Sequence, residues 1–145
     1  MANIEELKRE IIMEHYSNPL NKETVTDSRY EKVNTRNQSC IDNLDIYILF
    51  DKDLIKDIKF NGEACAISTS STSIMIKNLI GMNVKDALNY VDNFMAMVNE
   101  EKYDDSILNE ALCYDKIYLQ NSRKTCATLP YRGLKEVLLK HLKGQ

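Results

Sequence analysis

With 145 residues, a net charge of −3, and 43% hydrophobic against 28% charged residues, the chain has the make-up of an ordinary globular protein. That balance argues against a nucleic-acid or anionic-membrane surface. No apolar run approaches the roughly 18 residues of a membrane span, and the charged start MANIEELKRE lacks the apolar core of a signal peptide. A chain of this size buries roughly 68–70% of its unfolded surface, so the expectation is one cytoplasmic domain over residues 1–145 that needs no disulfide.

The segment IEELKREIIMEHY carries Ile4, Leu7, Ile11 and Ile12 at helical spacing, and Asn18-Pro19 stops that helix. YEKVNTRN reads as a strand beside two stronger ones, Leu44 to Phe50 and Leu54 to Asn61, which a tight Asp51-Lys52-Asp53 connection folds into a hairpin. Residues 65 to 80 then read as a helix ended by Gly81, although six hydroxyl residues, Ser68 to Ser73, run through it. Ser and Thr compete with the backbone for hydrogen bonds. A run that points all round the helix is therefore expected to let it pack closely, with Ile67, Ile74, Ile76, Leu79 and Ile80 in the core. Asn83 reads as the N-cap of the next helix, with Asp86 in its first turn. DSILNEALCY suggests a short helix, and a last one starts near Pro130. Strands first and helices after predict an α+β fold, a small antiparallel sheet of about three strands with helices packed on it.

Cys40, Cys65, Cys113 and Cys126 are spaced by 25, 48 and 13 residues, which fits no C-x-x-C knuckle. In a reducing compartment such cysteines are buried, metal-binding or catalytic rather than bridged. Cys65 and Cys126 both fall at predicted helix starts, where N–H groups and the helix dipole favour thiolate. Asp42 shares a loop with Cys40. Three thiolates and a carboxylate suit Zn²⁺ or sulfur-bound iron, yet spacing alone leaves Cys65 and Cys126 equally readable as small buried residues. Cys113, in NEALCYDK, reads as core. His15 and His141 read as structural rather than as ligands.

Four motifs narrow this. EHYSNP, NQSCID, GEACAIS and RKTCATLPYRGL occur in order, with 61 residues from Cys65 to Cys126. Together they resemble the U-type iron–sulfur cluster assembly proteins, the SufU branch of the IscU/NifU-like family. The resemblance implies that Cys40, Asp42, Cys65 and Cys126 are metal ligands, with zinc as the cofactor and Asp42 as the exchangeable member. It also implies that Cys40 accepts sulfur from the persulfide of a pyridoxal-phosphate cysteine desulfurase (SufS-like), with Arg123 and Lys124 as electrostatic support and other Suf assembly proteins as further partners. An alternative is a scaffold on which an Fe–S cluster forms before delivery, the same residues binding iron and sulfide. A third reading makes zinc a structural ion. Two positions depart from the pattern. Ile41 stands where the family has glycine, and a β-branched residue resists φ > 0, so it either misaims Asp42 or serves as an exposed apolar contact. Thr125 stands where IscU-like members place histidine, and the L-P-P-V-K motif is missing, which favours sulfur relay over scaffold.

Overall fold

The computed structural model describes residues 3–38 and 41–144. Helix α1 (Ile4–Ser17) leads to strands β1 (Glu31–Arg36), β2 (Asn43–Asp51) and β3 (Leu54–Glu63). Helices α2 (Ala66–Leu79) and α3 (Val84–Val98) follow, then three 3-10 turns between Asp105 and Leu119, then the long α4 (Asn121–Lys143). The sheet is antiparallel in the order β1-β2-β3. Lys52, at φ 57°, turns the hairpin between β2 and β3. Among the described residues, no helix is long and apolar enough to cross a membrane.

Local chemistry sets the helix starts. The Asn3 side chain accepts the Glu6 N–H at 2.9 Å and caps α1, and Asn83 accepts from Asp86 N at 2.8 Å, as its N-cap reading requires. Leu44, Ile46 and Ile48 of β2 and Ile55, Ile58 and Phe60 of β3 are wholly buried. The aromatic centre lies between α3 and α4, where the rings of Phe94 and Tyr131 stack 3.9 Å apart.

α2 is the hub, and its hydroxyls explain how. Ser68 through Ser73 are all buried, and four of them reach four different parts of the fold. Ser68 meets Asp42, Ser70 pairs with the Tyr114 hydroxyl at 2.5 Å, Ser71 donates to the Ala127 carbonyl at 2.6 Å, and Ser73 meets His15 Nδ1 at 2.7 Å. Short side chains bring the helix close to its neighbours, and each hydroxyl replaces the water it excludes. His15 is structural: its Nε2 lies 2.9 Å from Glu110, which also pairs with Lys77. Leu20 N also donates to Ser73 Oγ at 2.9 Å, so one hydroxyl joins the imidazole to the main chain that follows α1.

Three expectations need correction. The DSILNEALCY segment is not α-helical: it forms 3-10 turns over Asp105–Ile107 and Asn109–Tyr114. Cys113 is nonetheless buried there, as a core residue should be. Ile80 is 36% exposed rather than core, because α2 ends at Leu79 and the chain leaves the helix at that residue. The last helix starts nine residues earlier than expected, at Asn121, so Pro130 lies inside it. Proline lacks the N–H that would bond the carbonyl four residues back, which is that of Cys126. That carbonyl instead faces the Ser68 hydroxyl at 3.2 Å, and packing of a buried helix face outweighs the local stop signal.

Candidate metal centre

β2, α2 and α4 converge at one end of the sheet. Asp42 immediately precedes β2 and is 1% exposed. Its main chain is fixed by Asn37 N, which donates to the Asp42 carbonyl at 3.0 Å. Cys65 is the N-cap of α2, where its Sγ accepts from Ser68 N at 3.5 Å. Cys126 lies buried in the second turn of α4. Two close approaches hold this geometry. Gly62 sits at φ +126°, where an added Cβ would stand 2.1 Å from the Asn43 carbonyl oxygen, so only glycine lets β3 pass the start of β2. Gly133 places α4 against β1, where a Cβ would meet Thr35 Cβ at 3.1 Å, and Thr35 Oγ1 donates to the Leu129 carbonyl at 3.1 Å.

The result is a cluster in which an Asp42 oxygen and the Sγ atoms of Cys65 and Cys126 all lie within 4.8 Å of one another. Around it, Cys65 N donates to Asp42 Oδ1 at 2.7 Å, Ser68 Oγ donates to Asp42 Oδ2 at 2.6 Å, and Asn37 Nδ2 donates to Cys126 Sγ at 3.8 Å. Burial pushes the Asp42 carboxyl up, but the Ser68 hydroxyl, the Cys65 N–H and both thiols donate to it and hold it below its ordinary value. Burial, then the neighbouring Asp42 carboxylate and Cys65, push the Cys126 thiol up to about 12. Cys126 is therefore not made acidic by a helix start, contrary to the sequence expectation. It lies five residues inside α4, where dipole and free N–H groups no longer act.

This donor set fits a soft divalent cation. One carboxylate and two sulfurs converge there, and a bound cation would supply the charge that keeps both sulfurs as thiolates. Tetrahedral Zn–S bonds of about 2.3 Å place ligand atoms roughly 4 Å apart, and the observed 4.8 Å limit needs only a small contraction. Cys40, the fourth expected ligand, lies outside the described residues. Ile41 is 67% exposed and lines a polar hollow beside Asp42, and Asp42 still reaches the Cys65 N–H. Thr125 is turned to its own helix, donating to the Asn121 carbonyl at 3.2 Å. His141 stacks on Phe50 at 4.0 Å. Arg123 is exposed on a groove that ends at Cys65 and Cys126, whereas Lys124 does not line it. Ser68 and Asn37 were not singled out from sequence. Ser68 had a usable signal, since it stands three residues after Cys65, at a predicted helix start, inside an odd hydroxyl run.

A model of the NifU-like N-terminal domain matches residues 7–127. The chain belongs to that family. Among curated members of the NifU-like family, the zinc-dependent sulfurtransferase SufU of Bacillus subtilis is 35% identical over 144 residues, covering 99% of this chain and 97% of the relative. The iron–sulfur cluster assembly scaffold protein IscU of Streptococcus pyogenes is 34% identical over 79% of this chain and 73% of its own. Among solved structures, FiSufU of Fervidobacterium islandicum AW-1, described as a candidate iron–sulfur cluster assembly scaffold protein for the SUF system, superposes with a TM-score of 0.85. It shares 30% identity, over 89% of this chain and 94% of that one. The NifU-like N-terminal fold, a three-stranded antiparallel sheet with helices packed on it, is the architecture expected from the sequence.

Proposed function

We propose that this protein is a zinc-dependent sulfur acceptor in iron–sulfur cluster assembly, taking sulfane sulfur from the persulfide of a cysteine desulfurase. The observation that carries the reading is the convergence of Asp42, Cys65 and Cys126 within 4.8 Å, on segments far apart in the chain. Full-length similarity to a zinc-dependent sulfurtransferase supports the choice of metal and chemistry. Cys65 and Cys126 would anchor zinc, with Asp42 as its exchangeable ligand and Cys40, two residues away in sequence, as the fourth. Zinc bound there would hold sulfur ligands as thiolates and shield them from oxidation.

In the transfer, the Cys40 thiolate attacks the terminal sulfur of the donor's persulfide. The donor's S–S bond breaks as a new one forms on Cys40, and the donor cysteine leaves as a thiolate, with no net change in oxidation state. Arg123, exposed beside the cysteines, supplies positive charge near the anion that arrives.

Replacing Cys40 by Ala is expected to abolish stimulation of a cysteine desulfurase, while Cys113→Ala leaves it intact. Cys113 is buried, and burial first, then Glu110 and Asp115, push its thiol far above the ordinary range, so it stays protonated. Equal loss in both variants overturns the assignment. The scaffold reading draws support from the IscU relatives and predicts a brown, transferable chromophore. A colourless protein holding stoichiometric zinc decides for relay, which the Thr125 geometry favours because its hydroxyl offers nothing to the cluster.

A further inference from the structure

The groove of about 540 Å³ that ends at Cys65 and Cys126 is floored by Ile12, Met13 and Ile67, and Arg9 and Arg123 line it. A second hollow of about 250 Å³ shares Arg9, Ile12, Ile67 and Arg123 with the first and continues along α1 to Lys116 and Gln120. The two form one trough between α1 and the start of α4, with the thiols at one end. Its lysines are already neutralised: Lys8 pairs with Asp115 at 2.7 Å and Lys116 with Glu5 at 3.6 Å. The guanidiniums of Arg9 and Arg123 are exposed and have no ion-pair or hydrogen-bond partner among the described residues.

Taking the sulfur-acceptor reading as given, we infer that this trough seats the sulfur-bearing loop of the donor, and that Arg9 of α1 is a positioning residue that holds it through anionic groups. Two adjoining hollows of about 540 and 250 Å³ with an apolar floor suit a polypeptide segment better than a small anion. Two unpaired guanidiniums at its sides call for carboxylates or a persulfide anion, and guanidinium binds such groups in a fixed two-pronged geometry. The trough's end then brings the tip of the loop to Cys65 and Cys126. Arg9 forms no bond to the transferred atom; it sets where the loop lies.

The test uses the full-length zinc-loaded protein and a cysteine desulfurase from the same genome. Arg9→Gln is expected to raise the KM for this protein by about tenfold with kcat near the parent value, and Arg9→Glu to raise it further. Arg9→Lys should restore part of the loss, and the salt dependence of KM should flatten in Arg9→Gln. Zinc content and the melting curve should match the parent in all three. Lys56→Gln, exposed on β3, should behave as the parent. An unchanged KM in Arg9→Glu overturns the inference, as does a fall in kcat that tracks zinc loss, or a change in self-association without a change in KM. If Cys40→Ala keeps full activity, the sulfur-acceptor reading itself fails. If Cys40→Ala is dead and Arg9→Glu is normal, only the trough assignment fails.

Discussion

The Ser68 hydroxyl has a single proton and two oxygens within reach of it, Asp42 Oδ2 at 2.6 Å and the Cys126 carbonyl at 3.2 Å. The nearer, charged acceptor takes the proton, because hydrogen bonds to ionised groups are shorter and stronger than neutral ones. Ser68 thereby orients the one carboxylate in the cluster, while its own N–H holds the Cys65 sulfur. A residue that touches no metal in such an arrangement still governs how well its ligands are aimed. Ser68→Ala is expected to weaken zinc binding about 10- to 100-fold, the range for lost partners of metal ligands, measured by competition with a chromophoric chelator. The same change removes a buried hydrogen bond, so stability should fall by about 1 kcal/mol. Unchanged zinc affinity would show that Asp42 is held by the Cys65 N–H alone.

At the scale of elements, α1 is tied to α2 and to the 3-10 segment by His15, and the tie is sensitive to acid. Burial pushes the Glu110 carboxyl up, but Lys77 and His15 donate to it and bring it below the ordinary 4.5. A carboxyl lowered on folding stabilises the fold above its unfolded value, and loses that contribution as pH falls through the lower, folded value. Glu110→Gln should therefore lower Tm at neutral pH, and the gap to the parent should close below about pH 4. A gap independent of pH would mean that the glutamate acts only by packing. The same segments show what sequence can and cannot reveal. The turn of the β2–β3 hairpin and the cap at Asn83 were legible because each depends on residues a few positions apart. Asp42, Cys65 and Cys126 could be proposed together only by resemblance, since their meeting is set by β2, α2 and α4 packing as a unit. Pro130 misled for a related reason: its local preference for a first turn is real, but Leu129, Tyr131 and Leu134 bury the helix on both sides of it. The fate of the hydroxyl run was legible as close packing, whereas which partner each hydroxyl meets was not.

For the molecule as a whole, the question is whether the cation holds the fold together or only completes the site. The largest buried side chains, Tyr90, Tyr114, Tyr131, Phe60 and Phe94, lie outside the ligand set and belong to a core that runs from the sheet through α2, α3 and α4. Burial of one such side chain is worth about 1.5–3 kcal/mol, so the core supplies many times the stabilisation of any single ligand contact. Stripping zinc with a chelator is therefore expected to leave far-UV circular dichroism close to that of the loaded protein and the thermal transition cooperative. Tm should nevertheless fall, since a ligand bound only by the folded state adds stability in proportion to the logarithm of its occupancy ratio. The loss should concentrate where the site joins β2, α2 and α4, seen as faster amide exchange at Asp42, Cys65 and Ser68, with the Phe94–Tyr131 region still protected. A chain that unfolds outright on chelation, and whose Cys40→Ala variant still stimulates the desulfurase, would make the ion structural and remove the basis for sulfur transfer at this centre.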